Sequence, residues 1–166
     1  MIVLITGVAG SGKSTIGQLL AESLGWEFFD ADDFHSLTNR EKMRQNIPLT
    51  EGDRRPWLEQ LQAEISQWLT QNHNVVLACS ALKQSYRQIL LQDRPQIKLV
   101  YLRGSFELIA ARLQHRQHHF MTVELLQSQF EALEEPEQGI IIEIGHSPAA
   151  IVQDIQLALK NPEISS

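Results

Sequence analysis

The chain has 166 residues, 43% of them hydrophobic and 20% charged, an ordinary globular balance with apolar material for one core. Its formal net charge of −6 argues against nucleic-acid and membrane-surface roles, which draw on basic faces. The single cysteine, Cys79, leaves no internal disulfide and suits a reducing cytoplasm.

Ile2–Ile5 is a short apolar run ended by Gly7, the pattern of a buried parallel strand. It is too short for a signal-peptide core and has no basic lead, and no run in the chain approaches the ~20 apolar residues of a membrane helix. Ile16, Leu19, Leu20 and Leu24 follow at helical spacing, with Gly25 as a left-handed stop. Trp26–Phe29 reads as a second strand. Asp53 is placed to cap a helix with Pro56 in its first turn and Leu58, Leu61, Ile65, Trp68 and Leu69 as its stripe. Val75–Ala78 is a third strand and Leu82–Leu91 a helix. Leu99–Leu102 is a fourth strand, leading to a helix over about Ser105–Gln114. A polar stretch around Arg116–His119 interrupts the pattern before a helix over Thr122–Glu134. Ile140–Ile142 is the fifth strand, and Ser147-Pro148 opens a last helix with Ile151, Val152, Ile155 and Leu159 inward. Alternation of this kind predicts a parallel sheet covered by helices on both faces, with ligands at the carboxyl ends of the strands.

Between the first strand and the first helix lies Gly7-Val8-Ala9-Gly10-Ser11-Gly12-Lys13-Ser14, a full match to G-x-x-x-x-G-K-[ST]. Its glycines let several N–H groups converge on one point, and the helix N-terminus adds positive potential. Lys13 is expected to reach the β- and γ-phosphates of ATP or GTP, Ser14 to offer a hydroxyl to Mg²⁺, and Thr15 another to a phosphate. The motif leaves the acceptor open. The second strand runs into Asp30-Ala31-Asp32-Asp33-Phe34-His35. Asp30 is expected in the Mg²⁺ shell. Asp32, two residues on along an extended chain, orients or deprotonates the attacking hydroxyl. Asp33 and His35 are candidates for substrate hydroxyls, against the plainer possibility of a helix-capping turn near Asn39. The third strand ends in Cys79-Ser80, where no acid follows it, and Asn-Lys-x-Asp is missing, which argues against a GTPase.

With these residues in view, the chain resembles the gluconate kinase family of small P-loop kinases. The likeness runs from Ile2 to Pro136: Asp30–His35, Asn39, Lys42-Met43, Pro48-Leu49, Asp53-Arg54, Pro56–Leu58, Ala78–Lys83, Tyr86-Arg87, Arg112, Arg116, His119–Met121, Leu125-Leu126, Ser128-Gln129, Leu133-Glu134 and Pro136. It departs at Ser36 and Thr122, where the family commonly has Pro, and at His118, where it usually has Gly. The resemblance implies a three-layer α/β/α, nucleoside-monophosphate-kinase-like fold on a five-stranded parallel sheet with a mobile lid over about 112–121. It also implies ATP-dependent conversion of D-gluconate to 6-phosphogluconate, in a cytoplasmic homodimer.

Gluconate's carboxylate needs a cation, and Arg54 is the candidate because a guanidinium grips a carboxylate with two parallel bonds. Ser80, Lys83 and Arg87 are expected to face the same cleft, with a solvated helix charge as the alternative for Arg87. Arg112 and Arg116, four apart on one helix face, are expected to neutralise the transferring phosphoryl group as the lid closes. The adenine pocket is expected near His146–Ala149 and Arg112. Cys79 reads as a small buried residue. Trp26, Trp57 and Trp68 read as packing residues, with Trp57 at the pocket's edge.

Overall fold

The computed structural model describes residues 1–115 and 122–161. The strands are β1 (Ile2–Thr6), β2 (Glu27–Asp30), β3 (Val75–Ala78), β4 (Ile97–Arg103) and β5 (Ile140–Glu143). The helices are α1 (Lys13–Leu24), α2 (Leu37–Arg44), α3 (Glu51–Thr70), α4 (Gln84–Leu91), α5 (Phe106–Gln114), α6 (Val123–Ala132) and α7 (Pro148–Lys160), with a 3₁₀ turn at Ala31–Phe34. All strand pairs are parallel, in the order β2-β3-β1-β4-β5. This is the three-layer α/β/α architecture predicted from the alternation.

The period of two along β1 divides the core. Val3 and Ile5 pack with Ile16 and Leu20 of α1, Ile109 of α5, Leu126 of α6 and Ile151 and Ile155 of α7. Ile2 and Leu4 face the other way, onto Leu58, Leu61 and Ile65 of α3 and Leu90 of α4. A central strand covered on both faces must be apolar throughout, and every residue of β1 is buried. Leu19 belongs to the spacing that predicts α1, yet it is 40% exposed and lies outside the stripe.

Close packing of α1 on β2 depends on Gly17, where a Cβ would stand 2.5 Å from Cε2 of Phe28. Gly25 ends α1 in the left-handed conformation, at φ 67°. For α3 the predicted cap moves. Thr50 is the N-cap, its hydroxyl accepting from the Asp53 amide at 3.1 Å, and Asp53 sits three residues on with its carboxylate accepting from the Thr50 amide at 2.9 Å. Asp53 is therefore the second half of a capping box. Two departures from the family pattern also find a use, since Ser36 caps α2 and Thr122 caps α6, each accepting from a backbone amide three residues on at 3.1 Å.

Candidate active site

β1 sits at the centre of the sheet, so the turn after it opens at the middle of the sheet's carboxyl edge. In this turn Gly10 adopts φ 79°, and a Cβ there would lie 2.9 Å from Leu113 Cδ2, so α5 backs the loop tightly. Ala9, Gly10, Gly12, Lys13, Ser14 and Thr15 line a cleft of about 730 Å³. Gly7, Val8 and Ser11 shape the loop from behind. Ser11 is 1% exposed, and its hydroxyl has no hydrogen-bond partner among the described residues. Lys13 Nζ donates to the Val8 carbonyl at 3.1 Å, and Ala9 N–H donates to Gln129 Oε1 at 2.6 Å.

The acidic segment meets this loop directly. Ser14 Oγ donates to Asp30 Oδ2 at 2.7 Å, and Asp32 N–H donates to Asp30 Oδ1 at 3.0 Å. Asp30 and Asp32 both line the cleft, but not by alternation along an extended strand as predicted. Asp30 ends β2 and caps the 3₁₀ turn, and that turn swings Asp32 back into the cleft. Trp57 fixes the turn by donating from Nε1 to the Ala31 carbonyl at 2.7 Å. Asp33 points away: it is exposed, lies outside the cleft lining, and its carbonyl accepts from Arg40.

Burial holds the Lys13 amine below its usual range, although the charges of Asp32 and Asp30 act in the opposite direction. Asp32 keeps access to solvent from the cleft mouth. The protein around it still desolvates its carboxyl, and Asp30 adds a like charge, so its pKa lies above the ordinary value. A carboxyl displaced this way is better matched to taking a proton near neutral pH. Magnesium prefers oxygen donors, one or two from protein and the remainder from water and phosphate. The Ser14 hydroxyl and the Asp30 carboxylate are such a set. Among the described residues no cluster of three or more His, Cys, Asp or Glu forms a self-sufficient metal cage.

The far end of the cleft carries Arg54, Ser80, Lys83, Tyr86, His35 and Trp57. Glu51, in the first turn of α3, organises the cations there. It accepts from Lys83 Nζ at 2.8 Å and from the Tyr86 hydroxyl at 2.5 Å, and lies 4.0 Å from Arg54. His35 stacks on Trp57 with ring centroids 4.2 Å apart and meets Asn39 Nδ2 at 3.3 Å. Burial first, then the charges of Arg54 and Arg40, lower its pKa to about 4, so the ring is neutral at pH 7. The Ser80 carbonyl accepts from the Thr6 hydroxyl, which ties the loop after β3 to the end of β1. Met43, Ile47, Pro48 and Leu49 close one wall.

Two arginines differ from expectation. Arg87 neither faces the cleft nor lies in solvent: it is 5% exposed and donates to the carbonyls of Ala81, Leu82 and Glu134 at 3.0, 2.9 and 2.7 Å. Its work is to brace the loop that presents Ser80 and Lys83. Arg112 lies outside the cleft lining and donates to the Ile144 carbonyl at the end of β5. Arg116 and the rest of the predicted lid from 116 to 121 lie outside the described residues. Cys79 is buried, and burial together with the nearby Asp32 charge pushes its thiol up to about 12, too high for a nucleophile at neutral pH.

Tyr86 and Gln129 line the cleft and Glu51, outside its lining, binds Lys83 and Tyr86; sequence reasoning gave none of the three a role. Tyr86 and Gln129 stand within the motif matches, but Glu51 carries no local signal. It looks like any acid in a first helical turn.

A phosphate-binding turn on the central strand, a hydroxyl–carboxylate pair beside it and a second charged pocket in the same cleft define a P-loop kinase acting on a small molecule. The model of the shikimate kinase family matches residues 9–157. The chain is 47% identical to a gluconokinase of Arabidopsis thaliana, over 93% of this chain and 89% of that protein. The crystal structure of a gluconokinase from Sinorhizobium meliloti 1021 superposes with a TM-score of 0.83 at 38% identity, covering 99% of this chain and 97% of that one. A shikimate kinase from Aquifex aeolicus shares the fold, with a TM-score of 0.57, but only 17% of its residues are identical. The chain belongs to the family that this model describes and, within it, to the gluconokinases.

Proposed function

We propose that the chain transfers the γ-phosphoryl group of ATP to D-gluconate, giving 6-phospho-D-gluconate and ADP. One observation carries this: a single cleft joins the phosphate cradle and the Ser14–Asp30 pair to a pocket bearing Arg54, Lys83 and Ser80. The family supplies the name of the acceptor. Shikimate and nucleoside monophosphates, the acceptors of related kinases, are the alternatives to exclude.

In this reading the amides of residues 9–15 and Lys13 hold the triphosphate. Ser14 and Asp30 would hold magnesium, which would supply neutralising charge beside the phosphates. Arg54 grips the acceptor's carboxylate. Ser80 and neutral His35 bond its hydroxyls, and Lys83 exchanges its bond to Glu51 for one to substrate. Asp32 accepts the proton of the terminal hydroxyl as the new O–P bond forms and the bond to the β-phosphate oxygen breaks. Arg112, tied to the Ile144 carbonyl, belongs to the adenine side with His146–Ala149. The segment over about 112–121 closes as a lid on a single kinase domain, with Arg116 brought to the phosphates. The protein works as a homodimer in the cytoplasm. No described helix is long and apolar enough to cross a membrane.

An ATP-coupled assay across gluconate, shikimate and nucleoside monophosphates tests the reading. Turnover with gluconate far above the other acceptors is expected, and gluconate acting no better than water removes the assignment.

A further inference from the structure

The Ala9 amide belongs to the phosphate cradle, yet its partner comes from α6. Gln129 Oε1 accepts from it at 2.6 Å, across 120 positions of sequence. Leu125, Ser128, Gln129 and Ala132 line the cleft, so the contact lies inside the site. One N–H carries one hydrogen. A charged phosphate oxygen is a stronger acceptor than a carboxamide, so nucleotide entering the cradle displaces Gln129 from this amide.

The other end of α6 is fastened to the acceptor side. Glu134 N–H, just beyond the helix, donates to the Leu82 carbonyl at 2.9 Å. Gln84 N–H donates to Glu134 Oε2 at 3.2 Å, and the Arg87 guanidinium bridges the carbonyls of Leu82 and Glu134. Lys83 stands between these anchored residues. Along its length α6 fully buries Leu126, and Phe130 meets Phe106 edge to face at 5.6 Å. Among the described residues the helix is thus hydrogen-bonded to the nucleotide side through Gln129 and to the acceptor loop by a braced knot of hydrogen bonds.

We propose that Gln129 is a positioning residue coupling the two substrate sites: it holds the Ala9 amide while the cradle is empty, and its displacement by phosphate is passed along α6 to the Leu82–Lys83 loop. The inference rests on the nucleotide site assigned above. It makes nucleotide and acceptor binding interdependent, and by linkage each alters the other's affinity by the same factor.

Amide ¹⁵N spectra of the full chain, titrated with Mg·ADP and with a non-hydrolysable ATP analogue, test it. In the wild type the amides of Gly10–Ser14 and those of Leu82–Gln84 should shift together. In Gln129→Ala the cradle amides should still shift, with nucleotide affinity within about threefold of wild type, while Leu82–Gln84 stay in place. The inference is overturned by Leu82–Gln84 moving as far in the variant, by their not moving in the wild type, or by nucleotide affinity falling about tenfold or more in Gln129→Ala, which would make Gln129 a direct ligand. Cradle amides silent in the wild type would withdraw the nucleotide site itself, and this inference with it. Gln129→Glu supplies a second variant should the alanine form not fold. It keeps an acceptor for Ala9 but repels phosphate, so nucleotide affinity should drop about tenfold or more, and an unchanged affinity overturns the proposal.

Discussion

Ser14 on α1 and Asp30 at the end of β2 meet in a hydrogen bond of 2.7 Å, joining the phosphate cradle to the acidic corner that follows the neighbouring strand. A hydroxyl and a carboxylate held at that separation are arranged for one hard cation. Asp30→Asn should raise the Mg²⁺ concentration needed for half-maximal turnover by about tenfold or more. A Mg²⁺ titration of activity checks this, and an unchanged midpoint removes Asp30 from the metal shell.

Lys13 is the cation of the cradle, and its reach to the outer phosphates is its proposed work. Lys13→Met should lower kcat by a factor on the order of 10²–10³, the usual cost of deleting one fixed charge stabiliser. Steady-state kinetics beside a folded-state circular dichroism spectrum separates this from unfolding. Turnover near that of the wild type refutes the cradle assignment.

Asp32 has a carboxyl pKa above the ordinary carboxylate value, first through desolvation and then through Asp30. Its basic form is lost as pH falls, so the acid limb of kcat/KM should lie above the ordinary carboxylate range and vanish in Asp32→Asn. That variant should lose a factor on the order of 10²–10⁴ in kcat while binding ATP much as before. Comparable loss of ATP affinity would transfer Asp32 to the metal shell.

Arg87 and Lys83 come from the same segment but should respond differently. Arg87→Met abandons three carbonyls that accept from a buried cation. It should cost at least about 3 kcal/mol of stability, seen as a lower denaturant midpoint. Lys83→Met removes an exposed partner of Glu51 and should raise KM for gluconate with little change in that midpoint. The opposite pattern would restore Arg87 to the substrate pocket.

His35 ties acid stability to the acceptor pocket. The folded ring takes its proton only near pH 4, whereas the unfolded ring does so near 6.5. Between those values the unfolded chain binds more protons, so stability rises with pH and is lost on acidification, by at most about 1.4 kcal/mol per pH unit for this one group. Unfolding curves from pH 7 down to 4 should show that slope, and His35→Phe should flatten it. An equal slope in the variant assigns the loss to other groups.

The strands and the phosphate cradle were legible because each is written in a contiguous stretch: apolar runs for β1, β3 and β4, and eight consecutive residues for the loop. Helix α2 was not, because its buried residue is the polar Asn39, whose Nδ2 donates to the Asp53 carbonyl, while Leu37 is 85% exposed. A helix docked by an amide side chain leaves no apolar period to read. The capping box of α3 was half visible, since Thr50 and Asp53 are both capping types and only geometry tells which comes first. Arg87 and Gln129 were visible as motif residues but not in their contacts, which reach Glu134 and Ala9 from 47 and 120 positions away.

Gly17 gives the proposed cation site an unexpected determinant. Ser14 rides on α1 and Asp30 on β2, and Gly17 lies where those two elements touch, less than one helical turn beyond Ser14 and against the Phe28 ring. Any side chain there would wedge the helix off the strand and pull hydroxyl and carboxylate apart, without altering either ligand. The Ser14–Asp30 separation is therefore set by a missing methyl group, and a substitution in the hydrophobic layer would change the bite of the proposed magnesium site while every oxygen donor stays intact.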